Sequence, residues 1–267
     1  MMKNKIALVT GASSGIGEAT ALRLMKAGYT VYGTSRRGTQ VNQPFSMLAL
    51  DVTKAESVEA AVNEVIRLHG RIDLLINNAG FGVAPAAAEE SSIEQAQAIF
   101  DTNFFGILRM TRAVIPHMRK QRSGRIINIG SVLGFLPMPY MALYAATKHA
   151  VEGYSESLDH ELRTWGIRVS VIEPAYTNTQ FEANLLEPDE KLNEYESIRA
   201  ALTQRMKNIL ASADSPEVVA DTVLKAALED QPNLRYTAGG LAGRLKLLRR
   251  FAPAKLVDAG VRKDLRL

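Results

Sequence analysis

Cysteine is absent from the 267 residues of this chain. A chain without thiols can form no disulfide, and it offers neither a thiolate nucleophile nor a cysteine ligand for a metal ion. Proteins that need no disulfides are typical of reducing compartments, so we expect a cytoplasmic protein.

Long apolar runs are also absent. No stretch of about 18 uncharged apolar residues occurs, which predicts that no helix spans a membrane. The first apolar stretch, IALV at 6–9, leads straight into a glycine-rich segment without a small-residue cleavage site. We interpret it as a first strand and not as part of a signal peptide.

Composition disfavours two further kinds of site. The formal net charge is only +4, which is too small an excess to indicate a nucleic-acid partner. The four histidines stand at positions 69, 117, 149 and 160, and none has the spacing to acidic partners that a metal site requires. We therefore expect neither nucleic acid nor a metal ion.

Short apolar segments alternate with amphipathic ones along the chain. The segments with a strand pattern are 5–10, 30–35, 46–52, 72–80, 124–131, 167–174 and 233–239. The main segments with a helical pattern are 17–28, 54–70 and 144–166. This alternation predicts an α/β fold, with a doubly wound parallel sheet and helices on both faces, in a single domain over residues 1–267. Ligands bind such sheets at the carboxyl ends of the strands.

Two segments do not follow this alternation. Residues 181–215 are polar and helical and follow the sixth strand, so we expect a lid insertion over the substrate. Residues 241–267 form a basic amphipathic C-terminal segment. Such a segment suits a membrane surface, a lid or a subunit contact, and we expect it to pack on its own domain or on a partner subunit.

The loop VTGASSGIG follows the first strand and opens the first helix. Its glycines, Gly11, Gly15 and Gly17, stand where the backbone must turn sharply and approach a pyrophosphate closely. The following helix N-terminus offers unpaired N–H groups to an anion. An ordinary strand-to-helix turn is the alternative, but the position between a strand and a helix favours nucleotide binding.

Several motifs then recur in a characteristic order. After TGASSGIG come NNAG at 77–80, Asn103, NIGS ending at Ser131, YAATK at 144–148 and EPAYTNT at 173–179. This series resembles the short-chain dehydrogenase/reductase family over residues 5–180, and the stretch 103–135 resembles its hydroxysteroid and retinol dehydrogenase branch. The resemblance implies a single-domain Rossmann fold, a nicotinamide cofactor, and a homodimer or homotetramer. Residues 181–267 carry no shared motif.

The end of the second strand indicates which cofactor is bound. In the family an acid there selects NAD, whereas here Ser35 occupies that place and Arg36 and Arg37 follow it. An arginine fork suits a 2′-phosphate, so we expect NADP(H), although two arginines after a strand can also be solvated loop charges. Asp51 matches the family residue that meets the adenine, and it could also cap the next helix.

The resemblance extends to a full set of cofactor contacts. The residues implied are Gly11, Ser13, Ser14, Gly15, Ile16, Gly17, Ser35, Arg36, Arg37, Asp51, Val52, Asn78, Ala79, Gly80, Tyr144, Lys148, Pro174, Thr177 and Thr179. One position departs from the family pattern, because Ala175 follows Pro174 where the family has glycine. Alanine resists positive φ, so the loop beside the nicotinamide is expected to differ slightly.

Tyr144 and Lys148 stand four residues apart and therefore share a helical face. A free tyrosine has a pKa of about 10, and a neighbouring ammonium lowers it toward neutrality. The resemblance implies that Tyr144 is the general acid/base, that Ser131 binds the substrate oxygen, and that Asn103 holds a water next to Lys148. Taken singly, such residues are more often a surface pair, a cap and a helix hydrogen-bonder.

The segment 132–143 lies between Ser131 and Tyr144 and is strongly apolar. With Ser131 and Tyr144, its candidate substrate contacts are Leu133, Met138, Tyr140 and Met141. Apolar walls with few polar groups suit a hydrophobic ketone, aldehyde or alcohol, although ordinary loop packing would look the same.

Three functions follow from these patterns. The first is an NADP(H)-dependent oxidoreductase that interconverts a hydrophobic carbonyl compound and its alcohol. The second is a non-catalytic NADP-binding regulator on the same fold, which would not need an acid/base phenol. The third is a lipid dehydrogenase with a weak peripheral contact to a membrane through residues 241–267.

Overall fold

Seven short strands form one parallel sheet in this computed structural model, which describes residues 5–38, 43–181 and 185–265. The strands are β1 Ile6–Val9, β2 Thr30–Ser35, β3 Ser46–Ala49, β4 Leu74–Asn77, β5 Gly124–Ile129, β6 Ile167–Pro174 and β7 Arg235–Ala238. Their order across the sheet is β3-β2-β1-β4-β5-β6-β7, and every neighbouring pair is parallel. The predicted α/β fold is confirmed.

Helices connect the strands and cover both faces of the sheet. They are α1 Gly15–Lys26, α2 Ala55–His69, α3 Ile93–Phe100, α4 Gly106–Gln121, α5 Ala142–Leu162, α6 Glu196–Leu210, α7 Pro216–Leu228, α8 Gly240–Phe251 and α9 Ala254–Leu265. A π-helical segment, Asp101–Phe105, joins α3 to α4. No helix of the described ranges is both long and apolar enough to cross a membrane.

Strand order reverses between β1 and β4. The chain builds outward from β1 through β2 to β3, and then returns to pair β4 with the other edge of β1. Val9 at the end of β1 is in register with Gly33 on one side and Ile76 on the other. Loops leave these ends in opposite directions, which opens a crevice for ligands at the carboxyl edge.

Two hydrophobic cores sandwich the sheet. One lies under α1 and α7, where Leu24 and Val223 are fully buried. The other lies under α2, α4 and α5, where Val65, Met110 and Leu158 pack. Because both faces are covered, strands such as β1 bury all of their residues, and this accounts for the continuous apolar runs in the sequence.

The predicted boundaries differ from the observed ones mainly at the carboxyl edge. β3 ends at Ala49 and β4 ends at Asn77, earlier than the predicted 46–52 and 72–80. The residues beyond those ends leave the sheet and form the loops that carry Asp51 and Asn78. Helix α5 begins at Ala142, two residues before the predicted start.

The two segments outside the alternation each contain helices, and residues 266–267 of the second lie outside the described residues. Residues 182–184 of the predicted lid, 181–215, lie outside the described residues; the remainder contains a short 3₁₀ turn, Asn193–Tyr195, and α6. The basic C-terminal segment forms α8 and α9.

Candidate active site

The glycine-rich loop is tied to the NNAG motif by hydrogen bonds across the crevice. The Thr10 hydroxyl oxygen accepts from the backbone N–H of Asn78 at 2.9 Å and of Ala79 at 3.0 Å. The Asn78 amide nitrogen donates to the carbonyl oxygens of Thr10 and Gly11, both at 3.0 Å. These bonds hold the two strand ends together at the point where strand order reverses.

The glycines of this loop are required by conformation and by space. Gly11 and Gly15 have φ values of 65° and 60°, in the left-handed region that favours glycine. A Cβ at Gly17 would lie 2.2 Å from the Gly11 carbonyl oxygen and 2.5 Å from the Asn78 amide nitrogen. A Cβ at Gly15 would lie 3.3 Å from the Cβ of Thr179, so the loop after β6 closes over the phosphate loop.

The remaining residues of the loop lead into α1. Ser14 is exposed and has extended backbone as the N-cap residue, with no side-chain cap. Ser13 and Ile16 are half-buried, and Ile16 packs against the core under α1. The first N–H groups of α1 therefore stand at the crevice, where their partial positive charge suits a phosphate.

The end of β2 presents cations to solvent. Arg36 and Arg37 are both exposed, and the Ser35 hydroxyl donates to the Gly38 carbonyl at 3.2 Å. Asp51 follows β3 close by, and its Oδ1 accepts from the Thr53 backbone N–H at 2.9 Å. Hydrogen bonds from the Thr53 backbone and hydroxyl, helped by the charge of Arg36, lower the pKa of Asp51.

Asp51 does not cap α2 with its side chain. The N-cap residue is Lys54, and Asp51 closes the turn before it, where its carbonyl oxygen accepts from Lys54 N–H at 3.1 Å. Val52 is buried, and a Cβ at Gly106 would come within 2.8 Å of its Cγ2. The position of Asp51 is thus held by the turn to Lys54 and by the packing of Val52 against Gly106.

Asn103 lies in the π-helical segment between α3 and α4. Its side chain accepts from Phe81 N–H at 3.0 Å and donates to the Phe81 carbonyl at 2.8 Å. It also donates to the Thr147 hydroxyl at 3.4 Å, on the helix that carries Tyr144. A π-helical turn adds a residue to the helix, and such turns are frequent at functional sites. Here Asn103 joins the loop after β4 to α5, and Gly80 lies directly against it.

Ser131 ends the loop after β5. It is buried, and its hydroxyl oxygen accepts from Leu133 N–H at 3.1 Å at the start of the 3₁₀ turn Val132–Gly134. This bond uses a lone pair of the oxygen, so the O–H hydrogen remains able to donate to a substrate oxygen. The hydrogen bond with which Ser131 caps the 3₁₀ turn therefore does not prevent its hydroxyl from donating to another group.

Tyr144 and Lys148 lie on the same face of α5. The Lys148 ammonium nitrogen is 5.5 Å from the centre of the Tyr144 ring and donates to the Ile129 carbonyl at 2.8 Å. Burial lowers the pKa of Lys148 to about 8, and the charge of Glu152 opposes that shift. Lys148 thus lies between the end of β5 and the Tyr144 ring. With a pKa of about 8, its side chain changes from charged to neutral near that pH.

Phe181 covers the other side of the phenol. Its ring centre lies 5.8 Å from that of Tyr144, with the two planes tilted by 58°. The segment that continues from it pairs with the loop after β4, because Leu186 N–H donates to the Gly82 carbonyl at 3.0 Å. Arg199 of α6 forms an ion pair with the buried Glu90. The described part of the predicted lid is therefore anchored near Tyr144, to the loop after β4 and to Glu90.

A buried acidic pair lies behind Lys148. Glu152 and Glu173 are both almost fully buried, and Arg235 of β7 donates to Glu152 at 2.8 Å. Lys246 of α8 donates to Glu173 at 3.0 Å. Burial, together with the charge of Glu173, raises the pKa of Glu152 to about 7. The C-terminal segment therefore packs against its own domain through an ion pair.

The residues expected to form the substrate wall differ in burial, and one of them belongs to the protein interior. Leu133 is buried within the 3₁₀ turn, whereas Met138, Tyr140 and Met141 are half-buried. Tyr140 has a φ of 63°, unusual for a bulky residue, and its carbonyl oxygen accepts from Ala86 N–H at 3.0 Å. Tyr140, Met141 and Tyr144 line one small depression, so these residues are brought to the phenol.

The end of β6 and the loop after it carry Pro174, Thr177 and Thr179, the last three residues of the expected set of cofactor contacts. Pro174 and Thr177 are buried, and Thr177 forms an isolated bridge with Asp214. In the described residues only Arg122 and Tyr140 have positive φ without being glycine, so Ala175 sits in an ordinary conformation. The substitution of the family glycine by Ala175 therefore costs no left-handed strain.

Comparison with known proteins shows the family of this chain. The family model described as short chain dehydrogenase matches residues 5–190. The chain belongs to the short-chain dehydrogenase family. It is an oxidoreductase, and the predicted resemblance is confirmed.

Relatives of this short-chain dehydrogenase include a named enzyme and cofactor-bound structures. A 3-ketodihydrosphingosine reductase of Bacteroides thetaiotaomicron is 46% identical over 183 residues, 68% of each chain. A short chain dehydrogenase from Burkholderia cenocepacia in complex with NADP superimposes with a TM-score of 0.77 at 26% identity, covering 97% of this chain and 98% of that one. A 3-ketoacyl-(acyl-carrier-protein) reductase from Brucella melitensis complexed with NADH gives 0.74 at 26% identity, covering 90% and 99%.

Several residues of the site were missed by sequence reasoning. They are Thr10, Phe181, Glu152, Glu173, Arg235 and Lys246. Thr10 stands directly before the glycine loop, and Glu152 follows Lys148 by four residues, so both carried a positional signal. The partners on β7 and α8 lie far along the chain and have no such signal.

A metal site was not expected from the sequence. The described residues contain no cluster of three or more histidine, aspartate or glutamate side chains that could hold a metal ion. The absence of a metal site stays a prediction.

Proposed function

We propose that this short-chain dehydrogenase is an NADP(H)-dependent oxidoreductase that interconverts a lipophilic ketone or aldehyde and its alcohol. The observation that carries the proposal is the position of Lys148, which lies beside the Tyr144 ring on α5 and donates to the carbonyl of Ile129, two residues before the buried Ser131. Family membership supports the reaction type, and the residues around the crevice support the details below.

The crevice fits a dinucleotide. The tight packing at Gly17 and the positive φ of Gly11 and Gly15 shape the turn of the loop, and the N-terminus of α1 that follows offers N–H donors to a pyrophosphate. Bound there, the cofactor supplies or accepts the hydride. Asn78, Ala79 and Gly80 end β4 on the opposite side of the crevice and would line it.

The proton in this reaction belongs to Tyr144. In the direction of reduction, Ser131 donates a hydrogen bond to the carbonyl oxygen, and the Tyr144 hydroxyl gives its proton to that oxygen as hydride reaches the carbon. Charged Lys148 stabilises the phenolate that remains. The phenolate regains a proton from solvent, and the family resemblance assigns to Asn103 the water that takes part in this step. In the oxidation direction the phenolate acts as the base.

NADP(H) is favoured over NAD(H) by the end of β2. Ser35 brings no carboxylate to the adenosine ribose, and the exposed Arg36 and Arg37 are free of the packing that would fix them elsewhere. A 2′-phosphate can accept paired, charge-assisted hydrogen bonds from such a fork. Related structures contain NADP in one case and NADH in another, so these side chains must decide the preference.

A lipophilic substrate is supported by the wall beside Tyr144. Met138, Tyr140 and Met141 supply apolar surface, and Phe181 adds an aromatic ring. The relative from Bacteroides is named for the reduction of a keto group in a sphingoid compound, which agrees with this chemistry. Nothing in the comparisons supports a non-catalytic regulator, which remains the alternative to be excluded by experiment.

The test is carbonyl-dependent oxidation of NADPH, with NADH in parallel, across ketones and aldehydes of graded hydrophobicity. Turnover that prefers NADPH and rises with apolar size is the expected result. A preference for NADH would contradict the cofactor assignment and leave the catalytic set in place. Binding of NADPH without turnover of any substrate in the series would favour the regulator.

Assembly and location stay predictions. A homodimer or homotetramer is expected from the family resemblance, and light scattering measures it directly. The cytoplasmic location expected from the lack of cysteine is measured by fractionation of cells that express the chain.

A further inference from the structure

The positive charge of the chain is concentrated in its last two helices. Residues 241–267 hold eight of the 32 lysines and arginines but only two of the 28 acidic residues, so this segment carries a formal charge of +6 and the rest of the chain −2. The segment lies beyond residues 5–190, which the family model matches. Its surface therefore lies outside the part of the chain that the family model describes.

The same two helices expose large apolar side chains. Leu247, Phe251 and Leu256 are 60%, 72% and 65% exposed, and Leu248 is 47% exposed. Leu247, Leu248 and Phe251 follow Arg244 at three, four and seven residues, so all four share one face of α8. Leu256, five residues after Phe251 and in the first turn of α9, is exposed as well. We call these four apolar residues, with Arg244, Arg250 and Lys255 around them, the outer face.

The opposite side of the helices is already occupied. Ala242 and Val257 are buried, Lys246 reaches Glu173, and the Arg249 guanidinium donates to the Phe135 carbonyl at 3.2 Å. These contacts fix the orientation of α8 and turn the outer face to solvent. A hydrophobic side chain left in water loses the stabilisation that burial would give, so such a cluster marks an interaction surface.

We propose that the outer face binds the surface of a membrane rich in anionic lipid. Apolar side chains that enter the boundary of the acyl region, surrounded by cations at the level of the headgroups, are the combination that interfacial helices use. The cytoplasmic leaflet carries negative charge, so the occupant and the expected location agree.

Charge and chemistry favour lipid over two other occupants. In a two-fold contact with a second copy, the same basic face would meet itself, and like charges would repel. A nucleic acid would pair with the arginines and lysines but would leave Leu247, Phe251 and Leu256 in water. An anionic lipid surface satisfies both kinds of side chain.

The position of the outer face suits delivery of a lipophilic substrate. Arg249 of α8 bonds Phe135, which directly follows the 3₁₀ turn after Ser131. A membrane bound to the outer face would therefore lie about one helix diameter, roughly 10 Å, from the wall of the substrate site, and lipophilic carbonyl compounds would be concentrated in it. Binding to lipid is nevertheless measured without turnover, so the test below does not depend on the proposed reaction.

The experiment is co-sedimentation of the full chain with vesicles of phosphatidylglycerol and phosphatidylcholine, and with vesicles of phosphatidylcholine alone. We expect binding to the anionic vesicles that weakens with added salt, and little binding to the neutral ones. Leu247→Ser with Phe251→Ser should lower the partition coefficient about tenfold or more. Arg244→Gln, Arg250→Gln and Lys255→Gln together should lower it by a similar factor.

Matched variants elsewhere on the surface serve as controls. Leu68→Ser with Leu228→Ser removes two leucines that are 47% and 53% exposed in α2 and α7, and should leave vesicle binding unchanged. Lys26→Gln, Lys120→Gln and Lys207→Gln remove three exposed charges outside the last two helices and should have an effect below twofold. Circular dichroism confirms that each variant is folded.

Three results would overturn the proposal. The first is no binding to anionic vesicles, or equal binding to neutral ones. The second is binding that survives both sets of substitutions in the outer face, or that falls equally in the controls. The third is a smaller molecular mass by light scattering for the Leu247→Ser, Phe251→Ser variant, which would show that the outer face is a contact between copies of the chain.

Discussion

Lys148 and Glu152 lie one helical turn apart on α5, and burial moves their pKa values toward each other, to about 8 and about 7. Each is stabilised in its charged form by the other or by neighbouring groups, and each is destabilised in that form by loss of water. The groups around Glu152 are Glu173 of β6, Arg235 of β7 and Lys246 of α8. The pKa of Lys148 therefore depends on Glu152, and the pKa of Glu152 depends in turn on side chains from β6, β7 and α8.

The first prediction concerns the pH dependence of catalysis. Charged Lys148 holds the phenolate of Tyr144, so kcat/KM for reduction should fall as pH rises through about 8. Glu152→Gln removes a negative charge that raises the pKa of Lys148, so the alkaline decline should shift to lower pH. The profile of kcat/KM between pH 5 and 10 measures the shift.

Glu156→Gln is the control for that shift. Glu156 is on the same helix and also binds Arg235, but its side chain is 51% exposed. Its removal should leave the alkaline limb in place. An equal shift in both variants would show that the effect comes through Arg235 and not from the charge of Glu152.

The second prediction is a pH-dependent difference in stability. The pKa of Glu152 is raised to about 7 from its ordinary 4.5, so the folded state holds a proton that the unfolded state has released between these values. The contribution of Glu152 to stability is thus fully present below pH 4.5 and is lost as pH rises through about 7. Relative to Glu152→Gln, the wild type should lose roughly 2 kcal/mol between pH 5 and pH 8.

Urea unfolding at the two pH values measures this difference. Because the variant removes only one titrating carboxylate, other acids cancel in the comparison. A constant gap between wild type and Glu152→Gln would mean that Glu152 titrates normally in the folded protein.

The third prediction concerns the acid/base. Tyr144→Phe keeps the ring but removes the proton donor, so kcat should fall by about 10² to 10⁴ while NADPH affinity stays within about twofold. Tyr154→Phe is the matched control, because Tyr154 lies on the same helix and packs edge-on against Phe104 away from the ligand. Steady-state kinetics and fluorescence titration with NADPH separate the two quantities. Retained turnover in Tyr144→Phe would exclude the assigned role.

The fourth prediction concerns cofactor choice. Arg36→Gln with Arg37→Gln should weaken NADPH binding by about tenfold to a hundredfold, because charge-assisted hydrogen bonds to the 2′-phosphate are lost. Binding of NADH, which lacks that phosphate, should change by less than about threefold. Lys26→Gln, at the exposed end of α1, controls for a general loss of positive charge. Parallel losses for both cofactors would place the 2′-phosphate elsewhere.

The fifth prediction compares two glycines. Gly17→Ala forces a Cβ against the Gly11 carbonyl and the Asn78 amide, so it should cost about 1–3 kcal/mol of stability and weaken cofactor binding. Gly153→Ala meets nothing within 4 Å inside α5, so it should stabilise the protein by about 0.5–1 kcal/mol. Thermal unfolding with and without NADPH measures both. Tolerance of alanine at Gly17 would mean that the loop can move away from Asn78.

Strand and helix order was predictable because each segment carries its own periodic pattern. β1 and β4 are buried on both faces, and this burial is predictable from their continuous apolar runs. The positions of Ser131, Tyr144 and Lys148 followed from motifs at fixed spacing, and the structure brings them to one edge of the sheet. The structure does not test the chemical roles of these residues, which stay predictions.

Other parts of the site depend on contacts between distant segments. Glu173 belongs to the EPAYTNT motif, but no residue near it in the sequence indicates that its partner is Lys246, 73 residues later. Likewise, the π-helical turn around Asn103 lies between two ordinary helices, α3 and α4, and the helical pattern of the flanking residues does not reveal it. Such features need the packed structure, since neither composition nor spacing encodes them.

The ion pair between Lys246 and Glu173 makes the catalytic domain depend on the end of its own chain. During synthesis the strands and α5 are complete before α8 exists, so the buried Glu152 and Glu173 face each other without the lysine until the last helices are made. A chain that ended before α8 would keep Arg235 beside both carboxylates but would lack the counter-charge that Lys246 brings to Glu173. The charges that surround Glu152 are therefore completed by the helix that follows the last strand of the sheet.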